Sequence, residues 1–183
     1  MRHLTRDDFR RTAWKNGGGE TVELAVFPPG ATLEGFDWRI SMASVERDGP
    51  FSPFPGIDRT ILMQSGAGMS LTIDGVDTAL DVGDQPFSFS GDSHTTCRLL
   101  DGPVTDINIL SRRSVCSHVV TRIAAIATII GEAQTLVLAT TPISVDASFH
   151  KIDQGDLLVL EPGESLTIAS GHALAIHFSY SGA

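Results

Sequence analysis

Apolar and polar residues alternate nearly one for one along most of this chain, from just beyond its charged opening segment to its C-terminus. A period of two puts successive side chains on opposite faces of an extended backbone. ETVELAVF, DWRISMASVE, RTILMQ, MSLTID, TDINIL, TLVLATT, LLVLEP and ALAIHFS therefore read as strands. Between them FPPG, RDGPF, PFPGID, IDGVD, LDGP and EPGES supply the Gly, Pro and Asp of tight turns. One stretch departs from the pattern. In LTRDDFRRTA, Thr5 is placed to cap and Asp7 and Asp8 fall in a first turn, which predicts a short N-terminal helix in an otherwise all-β chain.

The alternation is organised by an internal repeat. Asp81-x-Gly83-Asp84, six residues, then Gly91-Asp92 returns 72 positions later as Asp153-x-Gly155-Asp156, six residues, then Gly163-Glu164. The same offset pairs Leu71 with Ile143, Ile73 with Val145 and Asp74 with Asp146, so a strand-turn-strand unit recurs as a whole.

Composition narrows the function classes. Eighteen Gly and nine Pro among many β-branched residues suit short strands, and 183 residues at 42% hydrophobic content can bury a sizeable core. A net charge of -9 argues against nucleic acid or an anionic membrane surface, both of which select clustered Lys and Arg. The longest apolar stretch, SVCSHVVTRIAAIATII, is interrupted by His118 and Arg122, and the N-terminus lacks a signal peptide's apolar centre, so a soluble cytoplasmic protein is expected. Cys97 and Cys116 are expected to be reduced thiols.

The glycine spacing resembles that of the cupin superfamily, with Gly56, Gly75, Gly83 and Gly91 in the glycine places and His94 in one histidine place. The first motif's metal-ligand places fall on Leu62, Gln64 and Gly68, Phe89 replaces the second motif's proline and Arg98 its asparagine. A closer resemblance runs from residue 12 to 113, through TAWKNGGGETVELAVF, WRISMASVERDGPFSPFPGIDRTI, FSGDSHTTCRL and DINILSRR, to the HutD/Ves family. It implies a double-stranded β-helix bicupin of two jelly-roll halves, associated with histidine utilisation and regulatory rather than catalytic. The halves are expected at residues 1–113, with the ligand site, and 114–183, tightly packed as one unit. Cupin strands commonly pair across dimers, so a homodimer is the expected assembly.

Several residues could bind a small acid, each with a plainer alternative. Asn16, Gly17 and Gly18, with Gly19, can turn their N–H groups inward as an anion nest beside Lys15 and Trp14, or can form a flexible turn. Period two places Arg39 and Ser41 on one strand face and Asp106 and Asn108 on another; either face lines a barrel interior or meets solvent. Arg59 has the planar fork that matches a carboxylate at two points, or it pairs with Asp58 or Asp106. His94 is a lone imidazole, and one ligand does not hold a transition metal, so neither metal nor cofactor is expected.

No nucleophile elbow, phosphate loop or dinucleotide fingerprint is present. Three functions remain: a metal-independent sensor of an acidic intermediate of histidine degradation such as N-formylglutamate, a cupin enzyme acting on a similar acid, and an interaction module whose barrel is filled by its own side chains.

Overall fold

A computed structural model describes residues 1–15, 17–124, 126–145 and 150–180. The chain forms two compact units, one of residues Arg10–Cys116 and the other of Met1–Phe9 with Ser117–Ala183. Strand β1 (Arg2–Leu4) therefore belongs with the C-terminal part of the chain, although the sequence pattern groups it with the residues that follow it.

The unit of residues 10–116 contains β2 (Arg10–Ala13), β3 (Gly19–Phe27), β4 (Trp38–Val45), β5 (Gly49–Pro50), β6 (Ile57–Ser65), β7 (Met69–Ile73), β8 (Val76–Leu80), β9 (Phe87–Ser90), β10 (Thr95–Leu99) and β11 (Val104–Arg112). They form two sheets with strand orders β2-β3-β4-β11-β6-β9 and β5-β10-β7-β8. The other unit contains β12 (Cys116–Ile123), β13 (Ala127–Ile130), β14 (Gln134–Ala139), β15 (Ile143–Val145), β16 (His150–Ile152), β17 (Leu157–Leu160), β18 (Ser165–Ser170) and β19 (Ala173–Tyr180), ordered β1-β17-β14-β19-β12 and β13-β18-β15-β16. All eight strands expected from the alternation are present.

The strand orders correspond. β9-β6-β11-β4 in the first unit answers to β17-β14-β19-β12 in the second, and β8-β7-β10-β5 to β16-β15-β18-β13. The repeated Asp-x-Gly-Asp segments form matching turns: Asp84 N–H donates to the Asp81 carbonyl at 3.2 Å and Asp156 N–H to the Asp153 carbonyl at 3.1 Å. Gly83 and Gly155 both hold positive φ, 101° and 90°, which glycine adopts without the steric penalty of a Cβ.

No helix forms over LTRDDFRRTA. Arg6–Asp8 make a single 3-10 turn, closed where Thr5 N–H donates to Asp8 Oδ2 at 2.9 Å, and strands flank it on both sides. The segment contains few apolar residues at helical spacing, so a helix would bury little, whereas β1 pairs with β17 and β2 with β3.

Each unit has its own core. Between the sheets of the first lie Ala43, Val45, Ile61, Met63, Met69, Leu71, Leu80, Cys97 and Val104; the second packs Val137, Ala139, Ile143, Val145, Leu158, Leu160, Leu166, Ile168, Ala173 and Ala175. No helix among the described residues is long and apolar enough to cross a membrane.

Candidate functional site

Polar residues enter the first unit's core along the alternation. Val45 and Ala43 of β4 belong to the core and pair with Val104 and Asp106 of β11, while Ser41 pairs with Asn108. On the other flank of β11, Asp106 faces Met63 and Asn108 faces Ile61 of β6. Period two then makes Ser41, Asp106 and Asn108 inward residues. They are 2%, 0% and 7% exposed. Arg59, two residues before Ile61, is 5% exposed on the same strand face.

These groups form a chain of hydrogen bonds. Arg59 Nη2 donates to Asn108 Oδ1 at 2.9 Å, and Asn108 Nδ2 donates to Asp106 Oδ1. The amide thus presents its acceptor to the cation and its donor to the carboxylate, fixing its orientation. Arg59 Nη1 reaches the Ser52 carbonyl at 3.4 Å, and the rings of Phe89, Phe51 and Phe54 lie 4.9, 5.2 and 5.4 Å from the guanidinium carbon. Within this group, Arg59 Nε and Asp106 Oδ2 are buried and have no hydrogen-bond partner among the described residues.

Burial sets the electrostatics. Desolvation lowers the Arg59 pKa to about 10, against the opposing pull of Asp106, so the guanidinium stays charged at neutral pH. Desolvation pushes Asp106 up to about 7 despite Arg59, which leaves its carboxyl near half-protonation at neutrality. The arrangement can hold an anion against Arg59 and can exchange a proton at Asp106.

The other expected site residues fall in different places. Arg39 is inward but bonded, its Nε 2.7 Å from Glu23 Oε2, with both side chains largely buried. Trp14 donates from Nε1 to Thr21 Oγ1 at 2.8 Å and packs on the core. Lys15 and Gly17 are exposed, and Gly17 N–H donates to the Trp14 carbonyl at 3.0 Å, so that amide closes a turn instead of opening into a nest. Gly18 is buried, its carbonyl accepting from Glu46 N–H at 2.9 Å, and Asn16 lies outside the described residues. His94 is exposed, and its N–H donates to Asp74 Oδ1 at 2.9 Å. Among the described residues no group of three or more His, Cys, Asp or Glu is placed to hold a metal.

Trp14 and Gly18 do contribute to a cavity of about 110 Å³, which Val45, Arg47, Asp48, Gly49, Pro50, Phe51 and Cys97 complete. It is small beside the roughly 300–1,000 Å³ of most ligand pockets. Phe51 belongs to both the cavity wall and the aromatic cover of Arg59. That cover was not anticipated as part of the site. Phe51 and Phe54 stand in the turn RDGPFSPFPG just before Arg59, a signal that proximity in sequence could have supplied.

Asp58, the alternative partner weighed for Arg59, bonds instead to Arg113 at 2.7 Å. In the second unit the residues on the core-facing side of β19 are Ala173, Ala175 and His177, where β11 has Val104, Asp106 and Asn108. Its inner polar contact is Thr135 Oγ1 with His177 Nδ1 at 3.0 Å.

The family model described as HutD matches residues 6–176. A protein from Pseudomonas putida, described as an uncharacterized 21.2 kDa protein in the hutC 3' region, is 41% identical over 107 residues, 58% of this chain and 56% of its own. Protein Ves of Citrobacter koseri is 42% identical over 104 residues, 56% of this chain and 53% of its own. The matched region thus spans about half the length of these curated relatives. Over nearly the whole chain, the structure of HutD from Pseudomonas fluorescens SBW25 aligns with a TM-score of 0.86 at 32% identity, covering 99% of both chains. A cupin 2 conserved barrel domain protein from Leptotrichia buccalis aligns with a TM-score of 0.59 at 11% identity over 94% of this chain and 96% of its own, a likeness of fold. With its two-sheet units, this chain has a β cupin fold.

Proposed function

Because the chain belongs to the HutD family, we propose that it is a metal-independent bicupin that binds a small acidic intermediate of histidine utilisation, such as N-formylglutamate, as a regulator or sensor. The support for this reading is the buried Arg59. A cation held among three phenyl rings, with Nε unpartnered beside a hydrogen-bonded Asn108, is arranged as a receptor for a carboxylate. In the second unit β14 and β19 carry Thr135 and His177 on the core-facing side but no arginine, which supports placing the ligand in the first unit.

The reading is tested by calorimetry with histidine-pathway acids. A charge-assisted hydrogen bond contributes about 1.5–3 kcal/mol, so Arg59→Ala weakens affinity roughly tenfold to a hundredfold. Arg113→Ala, which alters exposed pairs with Asp58 and Asp92, leaves it nearly unchanged. Equal affinity of wild type and Arg59→Ala would sink the placement of the ligand.

One observation favours a second reading. Arg59 Nη2 already has Asn108, rings cover its guanidinium, and Met69, Phe87 and Phe89 pack into the same core, as in a barrel filled by its own side chains. Absence of binding by every acid tested would favour that module.

A further inference from the structure

Asp106 and Arg59 share one buried group, bridged by Asn108. With Asp106 ionised, the two charges cancel, and an entering anion would leave a net negative charge where water screens little. With Asp106 protonated, one positive charge faces one anion. The proton also makes Asp106 Oδ2, buried and without a partner, into a donor.

We propose that the site takes up an anion together with a proton from solvent, the proton coming to rest on Asp106 Oδ2, so that acid binding by this protein is proton-linked. The inference rests on the reading of Arg59 as the partner of the anion. No bond other than O–H is made, and the stoichiometry is one carboxylate and one proton per site.

The surroundings of Asp106 leave it as the proton acceptor. Its strand neighbours are Ala43 of β4 and Met63 of β6, neither of them titratable. Arg59 of β6 is already protonated at neutral pH. Cys97 of β10, near enough to feel the charge of Asp106, has its thiol pKa raised by burial and so is already protonated as well. Glu23 of β3 and Arg39 of β4 are inward but occupied with each other. Asp106, pushed up to about 7 by burial and with Oδ2 unpartnered, is the group placed to take up the proton near neutrality.

The test is calorimetry of wild-type protein with N-formyl-L-glutamate, and with acetate as a minimal carboxylate, in buffers of different ionisation enthalpy at about pH 6 and about pH 8. Close to one proton is taken up per ligand at the higher pH and little at the lower, and affinity falls about tenfold between them. Asp106→Asn, nearly isosteric and checked for folding by its melting curve, binds without uptake and without that pH dependence. Binding by wild type with no buffer dependence at about pH 8 overturns proton linkage while leaving the reading of Arg59 intact, and equal uptake in Asp106→Asn assigns the proton elsewhere and overturns the proposal. Failure of both probes to bind at either pH sinks the reading of the site and this inference together.

Discussion

Asn108 connects the two buried charges, and each end of its amide has a different task. Asn108→Leu leaves Arg59 Nη2 and Asp106 Oδ1 without their partner, and an unsatisfied buried polar group costs about 1–3 kcal/mol, more when charged. The expected loss of about 2 kcal/mol or more is read from denaturant unfolding. Asp106 adds a pH signature. Its folded pKa of about 7 lies above the usual carboxylate value near 4, so the folded protein holds the extra proton between those values. Stability from this group is therefore greatest below about pH 4 and declines as pH rises to about 7, by an amount on the order of a few kcal/mol. Asp92 and Glu164, whose pKa values are lowered by hydrogen bonds from the Gly56 backbone and the N-terminal amine respectively, act in the opposite sense and lose their contributions as pH falls. The difference between wild type and Asp106→Asn isolates the Asp106 contribution: the variant's advantage grows across that window, and a constant difference would show that Asp106 titrates normally.

The strands make their own demands on sequence. Between β6 and β7, Gly68 has φ 89°, and a Cβ there would stand 2.5 Å from the Leu80 carbonyl oxygen. That backbone oxygen cannot move aside as a flexible side chain could. Gly68→Ala is expected to cost about 1–3 kcal/mol, from the unfavourable φ and from displaced backbone, and thermal unfolding measures it. At the edge of the second unit's sheet, β1 pairs Arg2 with Val159, His3 with Leu158 and Leu4 with Leu157, while His3 Nε2 meets Asp156 Oδ2 at 2.7 Å. Deleting residues 1–9 removes this partner from β17. Amide exchange at Leu157–Val159 is expected to speed up without a comparable change in β6 or β11; unchanged exchange at β17 would show that the edge is stable without β1.

For the molecule as a whole, the donor set leads to an expectation about metals. Leu62, Gln64 and Gly68 occupy the places of cupin ligands, and His94 stands exposed with its backbone tied to Asp74. Purified protein is expected to contain far less than one Fe, Mn or Zn per chain; a stoichiometric metal lost on His94→Ala would contradict this. The individual strands and the recurring Asp-x-Gly-Asp turns were legible in the sequence, because alternation and turn chemistry are local; the strand orders were not, since pairing joins segments far apart in the chain. Alternation also separated Ser41, Asp106 and Asn108 from their neighbours. It could not say which strand face was inside, because period two is the same for a core face and a wet one. Pairing decided that, by placing β11 between β4 and β6 so that Asp106 and Asn108 joined Ala43 and Met63. The charged opening segment allowed a helix on local grounds, yet β1 found its partner more than 150 residues away, a preference no short window contains. Likewise the carboxyl of Asp106 is ordinary in sequence. Its pKa and its orphaned oxygen exist because folding removed water from both it and Arg59, and desolvation is a property of the packed core alone.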